Sequence, residues 1–227
     1  MKRFKFTKFQ ILVHLGALFP LIWIIWDYYM DNLTANPIQV VTLRTGKAAI
    51  VLLVLTLAVT PINTLFGFRQ VIKVRRALGL YAFLYAGLHF AIFIGLDYVF
   101  DLELIIEAIF DKPFALVGFL TGLILIPLAI TSTKGWMKRL GKNWKRLHWL
   151  IYGAGLLAVL HYTWSVKSDI RQPVAFGVIV ILLLIARIHV VRKSLSRFRW
   201  KISSKVTELI TPVRKLFSQI RPSRKSI

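Results

Sequence analysis

The sequence predicts an all-α integral membrane protein, a six-transmembrane-helix bundle with both termini cytoplasmic, and three observations predict it. Of the 227 residues 57% are hydrophobic and mean hydropathy is +0.66, while the charge is gathered into short stretches instead of covering a soluble surface. Apolar runs of about 20 residues, the length that crosses a hydrocarbon core, recur six times. The basic residues alternate between loops. Lys and Arg number four before the first run, four between the second and third, six between the fourth and fifth and eleven after the sixth, against five in the remaining loops. Eight of the nine acids (Asp27, Asp31, Asp97, Asp101, Glu103, Glu107, Asp111 and Asp169) fall on the sparse side, leaving Glu208 in the tail. Cytoplasmic loops carry the Lys/Arg excess, which sets the orientation.

This distribution also decides what a net charge of +22 means. Spread over a soluble surface it would suggest nucleic acid; confined to one side of a membrane it excludes nucleic acid and points to the lipid bilayer. The absence of cysteine excludes disulfides, thiolate-held iron–sulfur clusters and covalent haem attachment. Residues 1–192 form one transmembrane domain, and 193–227 a basic cytoplasmic tail.

The first run, 11–29, follows a basic start but is too long for a signal peptide and has no small-residue cleavage site. It carries His14, read either as a structural hydrogen bond or as a cofactor or quinone contact, and Pro20, which should kink it. Asn36-Pro37-Ile38-Gln39 and Arg44-Thr45-Gly46 read as an ordered outer loop before the second run, 47–66. Pro61 should end or bend that run. Arg75 and Arg76 then stand at the membrane boundary, as anchors on lipid phosphates or as contacts for a haem propionate or an anionic cofactor.

The third run, 78–96, places His89 about 16 Å from its inner edge at about 1.5 Å per residue, with Gly87 leaving room beside it. The outer loop 97–112 reads as an acidic amphipathic surface helix, with Leu102, Ile105, Ile106 and Ile109 opposite the acids, either capping the bundle or docking a partner protein. In the fourth run, 114–131, Gly118 and Gly122 make a small-xxx-small pattern taken as helix packing. The basic loop that follows could bind anionic lipid, a flavin phosphate or a soluble reductase.

The fifth run, 147–166, holds His148 and His161. Its Gly153-Ala154-Gly155-Leu156-Leu157-Ala158 mimics a dinucleotide fingerprint, but no strand precedes it and it lies mid-membrane; its glycines read as clearing space beside cofactors. Ionisable groups in a span are expensive and functional by default, and a neutral imidazole in hydrocarbon needs a hydrogen-bond partner or a metal. Runs three and five are parallel, so His89 and His161 lie within about 5 Å in depth and can face each other across one haem. His148 lies about 19 Å below His161, level with Arg75 and Arg76, and an offset of 13 residues turns it about 140° away from His161 on an ideal helix. The sixth run is 173–191. In the tail, 201–220 reads as an amphipathic helix or as disorder.

Arg75-Arg76-Ala77-Leu78-Gly79-Leu80-Tyr81 leading to Leu88-His89, Leu128-Ala129 and Thr131-Ser132, then Trp144, Leu147-His148 and His161-Tyr162-x-Trp164, resemble the MsrQ (YedZ) family of the ferric-reductase-like transmembrane superfamily. Asn36-Pro37, Thr45-Gly46 and Thr60-Pro61 match it too, so the resemblance covers about residues 10–192. It implies a haem b protein of the bacterial inner membrane that also uses FMN and feeds electrons to a periplasmic molybdopterin methionine-sulfoxide reductase for protein repair. His89, His148 and His161 fall at its haem-associated positions. The expected function is therefore a membrane electron-transfer subunit fed by the quinone pool or by a cytoplasmic flavin reductase. A stand-alone ferric or quinone reductase is the alternative within redox chemistry, and a transporter or scaffold the alternative outside it. The long basic tail departs from the family pattern.

Overall fold

The computed structural model describes residues 6–188, 190–195, 197 and 200. Every regular element among them is helical: α1 (Lys8–Tyr29), α2 (Pro37–Phe66), α3 (Gln70–Ile92) with a π-helical turn Phe93–Asp97, α4 (Leu102–Asp111), α5 (Pro113–Ile130), α6 (Lys134–Leu140), α7 (Lys142–Leu147), α8 (Leu150–Ser165) and α9 (Arg171–Ile185). Four helices, α1, α2, α3 with its π-turn, and α5, are long and apolar enough to cross a membrane. The chain is a multi-pass, all-helical membrane protein.

The second apolar run was expected to begin at 47, yet the helix begins ten residues earlier. Asn36 accepts the Gln39 N–H and Pro37 occupies the first turn, a strong start signal. What reads as an outer loop, Arg44-Thr45-Gly46, is therefore helical. Arg44 is tolerated there because its guanidinium donates to buried Asp27 of α1 at 2.5 Å and lies 5.9 Å from the Trp23 ring. Pro61 does not end α2, which continues to Phe66 and closes on Gly67 in the left-handed region, φ 69°.

The fifth and sixth runs form shorter helices than expected, 16 residues in α8 and 15 in α9. His148 and Trp149 belong to the turn that closes α7, bonding back to the Trp144 and Arg146 carbonyls, so α8 starts only at Leu150. At the far end of α8 the carboxylate of exposed Asp169 takes the Arg171 backbone N–H and guanidinium, which hold its pKa below the usual carboxylate range.

Helices α2 and α3 form one antiparallel hairpin, and α5 and α8 form another packed beside it. Helix α1 lies against α2 and α3, while α9 closes the other side on α8 and α2. The core runs through Leu52, Leu53, Val74, Leu78, Ala82, Tyr85 and Ala154. Pro20 removes one helical donor from α1, and the buried Tyr85 hydroxyl repairs the opening. It accepts the Leu21 N–H at 3.0 Å and donates to the Ala17 carbonyl at 2.8 Å. His14 meets the Tyr81 hydroxyl at 2.9 Å, one turn along the same α1–α3 seam.

Helix α4 packs on α5 and buries Ile105, Ala108 and Ile109, leaving Leu102 and Ile106 exposed with the acids. Only part of the apolar face expected there is covered. The amphipathic reading of 201–220 lies outside the described residues.

Candidate functional site

The two hairpins bring His89 of α3 and His161 of α8 together, with ring centroids 5.9 Å apart and planes 81° to each other. Each ring is anchored the same way. His89 Nδ1 lies 2.9 Å from the Thr42 carbonyl of α2, and His161 Nδ1 lies 2.7 Å from the Phe114 carbonyl of α5. A carbonyl can only accept, so both Nδ1 atoms carry the proton and both Nε2 atoms keep a free lone pair. A carbonyl oxygen has two lone pairs, so Thr42 and Phe114 can accept a ring N–H without leaving their helices; the Thr42 hydroxyl itself bonds back to Ile38.

The Nδ1 side of each ring also lies close against a glycine. A Cβ added at Gly46 would stand 3.1 Å from His89 Nδ1 and Cε1, and one added at Gly118 would stand 2.7 Å from His161 Nδ1. A Cβ at Gly118 would force His161 to shift, and one at Gly46 would require His89 to give by a few tenths of an ångström. Around the pair, Phe90 contacts Phe93 and Phe119, and Phe114 lies 6.4 Å from His161, which makes the surroundings apolar.

This donor set suits a metal held from two sides. A metal–imidazole bond is about 2 Å and a ring centroid lies about 1.2 Å behind its nitrogen, so two rings on one metal have centroids about 6 Å apart. The observed separation matches, and the Nδ1–H···O=C anchors are the outer-shell contacts that fix tautomer and orientation in metal-bound histidine. Two neutral nitrogens without a carboxylate fit haem iron, whose porphyrin supplies the other four donors.

The other predicted residues gather elsewhere, at the end of the bundle that carries α6 and α7. The Thr131 hydroxyl donates to the Pro127 carbonyl at 2.6 Å, so His148 Nε2–H donates to Thr131 at 3.0 Å. Trp144 stacks on the His148 ring, centroids 4.1 Å apart, and its indole N–H bonds the Thr131 carbonyl. Arg75 is half-buried within electrostatic reach of His148, Tyr152 and Arg187, whereas Arg76 is exposed. The structure thus joins His89 with His161 and leaves His148, Arg75 and Arg76 apart from them. Because His148 is not on α8, the 140° offset expected for one continuous helix does not arise. Gly155 packs on Leu57 and Val180 and so serves helix contact between α8, α2 and α9, not a cofactor.

Sequence reasoning missed Gly46, read as loop punctuation, and Gly118, read as helix packing. A signal for both was present. His89 follows Thr42 by 47 residues, and His161 follows Phe114 by the same 47; the glycines sit four residues after Thr42 and Phe114. The two hairpins repeat one arrangement, carbonyl, glycine and histidine at equal spacing. In that repeat the counterpart of His148, 13 residues before its histidine, is Arg76.

A family model described as ferric reductase like transmembrane component matches residues 45–159, a segment holding Gly46, Arg75, His89, Gly118 and His148. The chain is 49% identical to the protein-methionine-sulfoxide reductase heme-binding subunit MsrQ of Xanthomonas axonopodis pv. citri, over 77% of this chain and 83% of the relative. Its identity to the MsrQ of Herminiimonas arsenicoxydans is 42%, over 80% and 85%. No solved structure matches the chain. Matched over half its length by that model and 42–49% identical to these relatives over most of both chains, the chain belongs to the MsrQ family of ferric-reductase-like transmembrane proteins.

Proposed function

We propose that the chain is a haem b-binding electron-transfer subunit of a bacterial inner-membrane protein-methionine-sulfoxide reductase system. The observation that carries the reading is the His89–His161 pair, two facing imidazoles with anchored Nδ1 and free Nε2. Bound between them, haem would supply one-electron redox chemistry, which no side chain here provides. The chain's own residues do the holding: Thr42 and Phe114 fix the tautomers, Gly46 and Gly118 admit the rings, and the phenylalanines keep water from the site. The relatives' names support haem and the reductase partnership.

Finer parts of the reading rest on narrower supports. The Lys/Arg alternation supports six spans with both termini cytoplasmic, which would make α8 and α9 the short fifth and sixth spans. In that orientation the His89–His161 pair lies in the outer half, on the side of acidic α4, and α4 is the docking face for a periplasmic molybdopterin reductase. His148, Arg75 and Arg76 lie on the cytoplasmic side, where electrons enter from quinol or from a flavin reductase. FMN rests on the family resemblance alone.

The test is a dithionite-reduced minus oxidised spectrum of the purified protein with haem quantified per chain, alongside flavin fluorescence after heat release. A b-type spectrum is expected. Protein that purifies without haem and cannot be reconstituted with it would end the electron-carrier reading.

A further inference from the structure

Arg187, just beyond α9, is held by a carbonyl, a hydroxyl and an aromatic ring and is paired with no carboxylate among the described residues. Pro61 has no N–H, so the Leu57 carbonyl four residues before it loses its helical donor. Arg187 Nη2 donates to that carbonyl at 2.6 Å, and Nη1 donates to the Tyr152 hydroxyl at 2.8 Å, with the guanidinium carbon 5.0 Å from the Tyr152 ring. The Arg187 Nε–H is buried and has no hydrogen-bond partner among the described residues. Arg75 reaches the same place from α3, close enough to act electrostatically on Arg187, Tyr152 and His148.

The groups around these two guanidiniums are a carbonyl, a phenol and an imidazole. The ion pairs formed by the described residues, Arg44–Asp27 and Arg171–Asp169, lie at the other end of the bundle. On the basic side of the chain the sequence has one acid, Glu208, outside the described residues. Two like charges inside a helix bundle with no carboxylate beside them are costly, and an oxyanion placed against them removes that cost. The open Nε–H belongs to a planar fork suited to carboxylate or phosphate.

We propose that Arg187 and Arg75, with Tyr152, form an anion-binding site at the basic end of the bundle that takes the phosphate of an anionic phospholipid presented from within the bilayer. A propionate of haem held at His89 does not reach it, since Arg75 precedes His89 by 14 residues on α3, about 21 Å at about 1.5 Å per residue. The proposal therefore does not rest on the haem reading above. Arg187 lies outside the segment that the family model matches.

The experiment compares full-length wild type with Arg187→Gln, Arg187→Lys and Arg75→Gln. Three quantities are read: co-purifying phosphatidylglycerol by mass spectrometry, haem per chain, and haem midpoint potential. If phospholipid is the ligand, Arg187→Gln loses bound phosphatidylglycerol by about tenfold with haem unchanged, as loss of a charge-assisted contact implies. A fall in the midpoint potential with bound lipid unchanged would show a haem propionate there instead, because the ferric form gains from the missing cation, and would overturn the phospholipid site. Arg187→Lys restores the lipid signal only in part, since it keeps the charge and loses the fork. Arg75→Gln leaves the Leu57 carbonyl bonded and gives the same losses even where Arg187→Gln fails to fold. Glutamine variants that match wild type in bound phosphatidylglycerol, haem content and midpoint potential overturn the site. A wild type without haem removes the haem reading and leaves the phospholipid result standing by itself.

Discussion

His89 and His161 each give Nδ1–H to a carbonyl on a neighbouring helix, whereas His148 gives Nε2–H to a threonine hydroxyl and lies under a tryptophan. The first pair keeps its Nε2 nitrogens free, with the two ring centroids 5.9 Å apart. The single histidine at the other end has that nitrogen in use, and the repeat of the hairpins places Arg76, not a second histidine, at the equivalent position. A histidine in this bundle thus has two distinct uses, and which nitrogen is occupied separates them. On the proposed reading the paired end holds haem iron through two neutral imidazoles, and the other end, with Arg75 and Arg187, takes an anion.

The largest effect that would break this comparison is at the pair itself. Replacing His89 or His161 by Ala should lower haem per chain at least about tenfold, since even outer-shell partners of metal ligands are worth about 10–100-fold. Next come the glycines. Gly118→Ala puts a Cβ 2.7 Å from His161 and should cost more haem than Gly46→Ala, where the gap to His89 is 3.1 Å. Alanine is worth up to about 1 kcal/mol over glycine within a helix. Both proteins should therefore lose haem without losing helix content, which circular dichroism and pyridine haemochrome measure together. Equal haem in both variants and wild type would mean that the rings do not need the glycine floor.

At the other end the effects should be smaller and of a different kind. Thr131→Val leaves His148 Nε2–H without its acceptor and should lower stability by about 1–2 kcal/mol, read as a lower melting temperature, with the haem spectrum intact. His148→Ala, which removes donor and acceptor need together, should change the haem spectrum least of all. If His148→Ala instead abolishes the spectrum, the two ends are not different in the way described.

Much of this was legible in the sequence. The apolar run length and the alternating Lys/Arg predict a multi-pass helical protein, and depth along parallel runs predicts that His89 faces His161. What escaped was set by contacts between helices. Arg44 is unreadable as helical until Asp27 of α1 is seen to pair with it, so Gly46 was assigned to a loop. Gly118 looks like any small packing residue unless the hairpin repeat is noticed. His148 looks like part of a span because its neighbours are apolar, yet the turn bonds after α7 set it outside α8. Arg187 reads as a lone charge, because its partners come from Pro61's open carbonyl and Tyr152, distant in the chain.

The electron paramagnetic resonance spectrum of the oxidised wild-type protein tests the central claim most directly. Two axial imidazoles with planes near perpendicular, as the 81° between His89 and His161 requires, predict a low-spin ferric haem with a highly anisotropic signal dominated by one large g value. A high-spin ferric signal would show that at most one of these histidines ligates the iron, and would contradict the account.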